Sequence, residues 1–258
     1  MQSGIVQNVV PFRNFTLTFS PQDSKPRETA VLVFHGFPAQ PPWSEAAEKN
    51  RDLAEKLARE GGCDSYLMHY AGLGKSDGTF SFLASVRDSI ELAQLLQPRY
   101  TKFHLVGHSW GGLVALNVYA SLPPNLRGRV ALLSPFTIFP DDVLLRQALE
   151  MIQSETKISY AAGDNFDDVL QDLRDVERSY NPFAVLQRHP TLGASTLILQ
   201  AIDDNEVPAQ STQRFVNAFG RKPLYGEVDT DHKFSKGRDR FMQAVAAYII
   251  RGENELDL

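Results

Sequence analysis

Gly107-His108-Ser109-Trp110-Gly111-Gly112 constrains the fold of this chain more than any other stretch. An apolar run, Phe103-His104-Leu105-Val106, leads into it, and Leu113-Val114-Ala115-Leu116 continues from it as an apolar helical run. A serine with glycines two positions to either side, between a strand and a helix, predicts a turn too tight for side chains at 107 and 111. Such a turn strains the serine backbone and stands its hydroxyl clear of the sheet, where a base can reach it. The competing interpretation is a glycine-bounded serine packed at an ordinary strand–helix turn, and the rest of the chain decides between the two.

Short apolar runs alternate with helical periodicity, the pattern of a parallel sheet covered by helices. Two strands, Ile5–Val10 and Phe15–Phe19, lie close together and are expected to pair antiparallel. Ala30–Phe34 is apolar enough to be buried on both faces. A helix over Glu45–Glu60, a strand over Ser65–Tyr70 and a helix over Phe82–Gln97 follow. In the last of these Phe82, Val86, Ile90, Ala93 and Leu96 recur at helical spacing. Beyond the serine turn come a strand at Val130–Leu133, then Thr196–Ala201, a helix through Phe215, a strand near Leu224–Val228 and a final helix containing Phe241, Val245, Tyr248 and Ile249.

The alternation stops after Pro135 and resumes with Thr196–Ala201, a gap longer than an ordinary connection. Two amphipathic patterns occupy it. The first, with Asp141 or Asp142 as its cap, carries Leu144, Leu145, Ala148, Leu149 and Ile152; the second carries Phe166, Val169, Leu170, Leu173 and Val176. Between Thr137 and Pro190 ten acidic residues face five basic ones, a balance equal to the formal charge of −5 for the whole chain. No basic footprint for nucleic acid remains elsewhere.

Taken with its strand and helix, the serine turn is the nucleophile-elbow pattern, and from the first strand to the last helix the chain resembles the serine hydrolases of the α/β-hydrolase fold. The resemblance implies a mostly parallel sheet flanked by helices, with residues 1–136 and 191–258 as core and 137–190 as a small helical cap inserted over the active site. It also implies a triad in the order nucleophile, acid, histidine. Ser109, Asp204 in Asp203-Asp204-Asn205-Glu206-Val207-Pro208, and His232 in Thr230-Asp231-His232-Lys233 stand in that order. A serine hydroxyl needs a neighbouring base, and that base needs an acceptor to fix its tautomer.

Within that scheme Asp203 competes with Asp204, which is preferred because the family's acid precedes a Val-Pro pair at the spacing of Val207-Pro208. Some relatives carry the acid after the strand that follows the elbow helix, but here that position reads Ser134-Pro135. The resemblance assigns the oxyanion-hole amides to Trp110 and, from the His35-Gly36-Phe37 loop, to Phe37; Pro38 has no N–H to give.

Other motifs carry less. Tyr70–Gly78 is glycine-rich, but its glycines at 72, 74 and 78 fit neither a phosphate loop nor a dinucleotide fingerprint, and it is assigned a structural role. His104 and His108 are four apart on a strand and a turn, so they do not form a helical metal clamp, and neither metal nor cofactor is expected. Cys63 is the only cysteine and sits in a helix–strand connection with no elbow around it. No apolar run approaches a membrane span, and the first residues lack a basic and an apolar leader region, so a cytoplasmic protein is expected.

Epoxide hydrolases and haloalkane dehalogenases have similar elbows but carry aspartate at the nucleophile, where this chain has Ser109. The expectation is therefore hydrolysis of small or medium acyl esters, a small-molecule acyl substrate, through an acyl-enzyme on Ser109. Two rivals stay open: the same triad acting on a thioester, peptide or C–C substrate, and a catalytically silent binding protein on this fold. Phe136, Ile138, Phe139 and Phe166 are candidates for an apolar acyl pocket, against the plainer interpretation that they are core. Oligomeric state is not encoded in any pattern noted above.

Overall fold

The structure is a computed structural model describing residues 4–23, 25–38, 45–156 and 158–255. Met1–Ser3, at the head of the stretch tested for a leader, lie outside the described residues. Among the described residues, eight strands form one sheet in the order β1-β2-β4-β3-β5-β6-β7-β8. They are β1 (Ile5–Val10), β2 (Thr16–Pro21), β3 (Thr29–Phe34), β4 (Asp64–Met68), β5 (Lys102–His108), β6 (Arg127–Leu133), β7 (Thr196–Asp203) and β8 (Leu224–Asp231). β1 pairs antiparallel with β2 and β2 antiparallel with β4; every other pairing is parallel.

β3 shows how sequence builds the two-sided core. Ala30, Leu32 and Phe34 pack into one apolar cluster and Val31 and Val33 into the other, because successive side chains leave a strand on opposite faces. The first cluster lies under α2 (Phe82–Leu96) and α3 (Trp110–Ser121), and the second under α1 (Glu45–Gly61) and α8 (Arg238–Ala246). α3 is apolar nearly all round and buried from Trp110 to Tyr119, as a helix enclosed by sheet and neighbouring helices must be.

Residues 137–190 form three helices where two amphipathic patterns were expected: α4 (Asp142–Thr156), α5 (Phe166–Tyr180) and α6 (Pro182–Arg188). The additional helix begins at Asn181-Pro182, where the Asn181 side chain accepts the Phe183 N–H and proline occupies the first turn. Asp141 accepts the Leu144 N–H and so caps α4, as expected. α5 contacts α2, and α6 contacts α3. The Asp172 carboxylate of α5 accepts the Phe82 N–H at 2.6 Å and the Ser81 hydroxyl at 3.0 Å, fastening the insertion to the N-terminus of α2. A bridge between Phe80 and Tyr160 adds two backbone hydrogen bonds of 2.8 Å.

α7 (Ala209–Asn217) lies between β7 and β8. Because β3 and β5–β8 run parallel, the residues that follow them emerge at one sheet edge: His35, Ser109, Ser134, Asp204 and His232. Among the described residues, no helix is long and apolar enough to cross a membrane.

Candidate active site

Ser109 adopts φ 53° and ψ −119°, a strained conformation for a residue with a side chain. It is held there by its neighbours. Its N–H donates to Leu133 O at 2.9 Å, and its carbonyl accepts the N–H groups of Gly112 (2.8 Å) and Phe136 (2.9 Å). The steric expectation for the flanking glycines is met: a Cβ on Gly107 would overlap the carbonyl of Gly111, and one on Gly111 would overlap the carbonyl of Phe34. β5 and α3 are therefore pressed together in a way no other residue type allows.

Asp204 and His232 meet. Asp204 Oδ2 lies 2.8 Å from His232 Nδ1, with the aspartate side chain 1% exposed and the imidazole 7%. Oδ1 of the same carboxylate accepts the Val207 N–H at 2.8 Å and the Glu206 N–H at 3.0 Å, and Gln200 donates to Oδ2 at 3.3 Å. Burial works to raise the pKa of this carboxyl. Hydrogen bonds from His232, Val207 and Ser134, with the attraction of the imidazole, outweigh it and hold the group below the ordinary aspartate value.

The competing carboxylates are occupied otherwise. Asp203 is exposed and ion-paired with Lys236 at 3.0 Å. Asp231 accepts the N–H and hydroxyl of Ser235 at 2.8 and 2.6 Å. Ser134, the residue after β6, offers its hydroxyl to the Ala201 N–H.

Ser109 and His232 are linked through His108, the residue that precedes the serine. His108 Nε2 lies 2.8 Å from the main-chain oxygen of His232, and the two rings are 4.9 Å apart between centroids. Burial pushes the His108 pKa down to about 3, so its ring is neutral and donates from Nε2, since a carbonyl only accepts. The sequence signal for this is the histidine inside the elbow itself, next to Ser109. Among the described residues, Ser109 Oγ makes no hydrogen bond to His232. The imidazole Nε2 instead faces the Glu206 carboxylate at 3.5 Å.

Of the two residues named for the oxyanion, Trp110 follows Ser109 directly and Phe37 follows Gly36. Trp110 opens α3, so its N–H has no carbonyl partner within the helix. The loop of Gly36 and Phe37 lies against Ser109, because a Cβ on Gly36 would stand 3.1 Å from Ser109 Cβ. The Phe37 ring stacks on Phe80 at 4.5 Å and meets Phe82 at 4.9 Å, which anchors this loop. An aromatic chain runs on from the elbow: Phe82 to Trp110 (4.9 Å), Trp110 to Phe136 (5.6 Å) and Phe136 to Phe139 (5.2 Å). Phe166 meets Tyr160 at 6.4 Å, while Ile138 is partly exposed.

The glycine-rich loop is structural. Its Lys75 N–H reaches His69 Nδ1 at 3.1 Å, and its Ser76 hydroxyl bonds to His69 O and to the Phe15 N–H. Among the described residues, no group of three or more histidine, cysteine, aspartate or glutamate side chains is placed to hold a metal ion. Cys63 is buried, and burial pushes its thiol up to about 12, far from a reactive thiolate.

A family described as alpha/beta hydrolase fold matches residues 29–154, from β3 through the elbow to α4 but short of Asp204 and His232. No curated protein sequence matches. Solved structures resemble the chain over nearly all of its length. An esterase of Pyrococcus furiosus is 14% identical with a TM-score of 0.64, over 96% of this chain and 90% of that one. A 2-hydroxy-6-oxo-6-phenylhexa-2,4-dienoate hydrolase from Rhodococcus is 17% identical with a TM-score of 0.63, over 96% and 99%. An α/β serine hydrolase without a lid from Xanthomonas campestris is 16% identical with a TM-score of 0.58, over 98% and 95%.

Proposed function

The chain has the α/β-hydrolase fold, and from that premise we propose that it is a serine hydrolase cleaving small or medium carboxylic esters through an acyl-enzyme on Ser109. One observation carries the reading: the buried Asp204–His232 pair is tied, through His108, to the turn that presents Ser109. A histidine kept only for packing has no need of a buried carboxylate on one nitrogen and a main-chain tether to a strained serine.

In the proposed reaction His232 Nε2 takes the Ser109 proton as the oxygen attacks the acyl carbon. The Asp204 carboxylate, held ionised, keeps the Nδ1 proton in place and stabilises the imidazolium that forms. The developing oxyanion is met by the N–H groups of Trp110 and Phe37, each of which is worth about 10²–10³ in rate in comparable sites. His232 then returns its proton to the leaving alcohol, and water repeats the cycle on the acyl-enzyme.

Residues 137–190 serve in this reading as the cap, with the Trp110–Phe136–Phe139 aromatic chain as its apolar floor beside the acyl group. The test is direct. Wild-type protein hydrolyses short-chain p-nitrophenyl esters and is labelled at Ser109 by an organophosphonate, and Ser109→Ala loses both. Folded wild type that escapes the label, or Ser109→Ala with full activity, removes the reading. A panel of thioester, aminoacyl and C–C substrates run beside the esters ranks the reaction classes.

A further inference from the structure

The turn that carries Asp204 also aims a second carboxylate at the same imidazole. Asp204 Oδ1 accepts the N–H of Glu206, fixing its backbone, and the Glu206 side chain brings Oε2 to 3.5 Å from His232 Nε2. The ring therefore has a carboxylate on each nitrogen: Asp204 buried on Nδ1, and Glu206, with its side chain 52% exposed, on Nε2. Among the described residues, no lysine or arginine forms an ion pair with Glu206, whereas the neighbouring Asp203 is neutralised by Lys236. Glu206 is also no substitute for Asp204, because it sits at the nitrogen that must exchange protons with serine and leaving group.

That position has a consequence for substrate choice. In acyl transfer the leaving-group oxygen must come within hydrogen-bond reach of Nε2 to collect its proton. A carboxylate 3.5 Å from Nε2 then lies beside whatever substituent the departing alcohol carries. We propose that Glu206 is a specificity-determining residue that favours esters whose alcohol carries a positive charge, an amino-alcohol or choline-type leaving group, and disfavours anionic alcohols. This inference rests on the acyl-transfer reading above and adds the charge of the leaving group to it. Half exposure to water screens the carboxylate, so the preference is modest, about three- to tenfold, and weakens with salt.

The experiment uses two esters of one short acyl group that match in shape: the choline ester and its uncharged 3,3-dimethylbutyl counterpart. Wild type is expected to show a higher kcat/KM for the choline ester at low salt, by about three- to tenfold, with the ratio moving toward one as salt is added. Glu206→Gln keeps the side-chain shape and is expected to lose the preference, and Glu206→Lys to reverse it. A merely structural Glu206 would lower both esters equally, and an unchanged ratio in Glu206→Gln, or equal efficiencies in wild type, overturns the proposal while leaving the triad intact. Cleavage of both esters at the wild-type rate by Ser109→Ala overturns the acyl-transfer reading and this inference with it.

Discussion

His108 donates its Nε2 proton to the main-chain oxygen of His232 at 2.8 Å, so the residue preceding Ser109 holds the backbone that carries the imidazole. Two loops separated by 124 positions are thereby kept in register by one buried bond. Replacing His108 with phenylalanine keeps an aromatic ring and removes the donor. The orphaned carbonyl is expected to cost about 1–3 kcal/mol in stability. Displacement of the imidazole is expected to lower kcat by about ten- to a hundredfold with a smaller change in KM. Steady-state kinetics corrected by phosphonate active-site titration measure this; a stability loss with kcat intact would limit His108 to packing.

Asp203 and Asp204 are adjacent, and only geometry separates their roles. Asp204 is buried against His232, while Asp203 reaches outward to Lys236. Asp204→Asn is expected to reduce kcat by about 10³–10⁴, because the amide can no longer stabilise an imidazolium. Asp203→Asn breaks one exposed ion pair and is expected to change kcat less than about twofold. Comparable losses in the two variants would show that the acid has been misassigned.

The strand–turn–helix around Ser109 was legible because its steric demands fall on neighbouring residues: two glycines and two apolar runs specify it locally. The strands of the parallel sheet were legible in the same way, since a buried strand such as β3 is apolar from Ala30 to Phe34, whereas their order across the sheet is set by pairings between distant segments. The short helix at Pro182 has too few residues for periodicity to register, although its Asn-Pro start is a local signal. The parts of the site hidden in the sequence are those made by loops meeting across the sheet edge. His108 acts through a bond to the other end of the chain, and Glu206 through the path of its turn. Nothing in the letters around either residue records its partner.

Gly111 packs against the main chain of Phe34 and His35 with no space for a side chain. Gly111→Ala has to part β3 from α3, and the overlapping atoms are backbone, which cannot rotate away. Overpacking of this kind is expected to cost about 1–3 kcal/mol or more, read as a lower urea midpoint. Gly163, at the surface, has nothing within 4 Å of an added Cβ but a φ of 79°. Gly163→Ala is therefore expected to lose only the smaller cost of backbone strain, about 1 kcal/mol. A Gly163→Ala variant more damaged than Gly111→Ala would mean that crowding at the elbow does not constrain the fold.

Four histidines set the acid limit of the fold. Burial is the leading cause in each case, and it pushes His35 and His104 down to about 4 and His69 and His108 down to about 3. In the unfolded chain the same rings titrate near about 6.5. Above that pH neither state binds protons at these sites, and the stability associated with neutral rings is fully present. As pH falls below about 6.5 the unfolded chain takes up protons that the folded chain refuses, so stability is lost progressively toward the folded-state values. Each ring contributes at most about 1.4 kcal/mol per pH unit. Asp204, held below its ordinary value, adds a loss of the same sign at still lower pH. Urea midpoints are thus expected to decline steadily from about pH 7 to about pH 5, before most carboxylates titrate. A midpoint that stays level across that interval would mean the buried rings accept protons without unfolding, and the neutral His108 donor assigned to the His232 carbonyl would lose its basis.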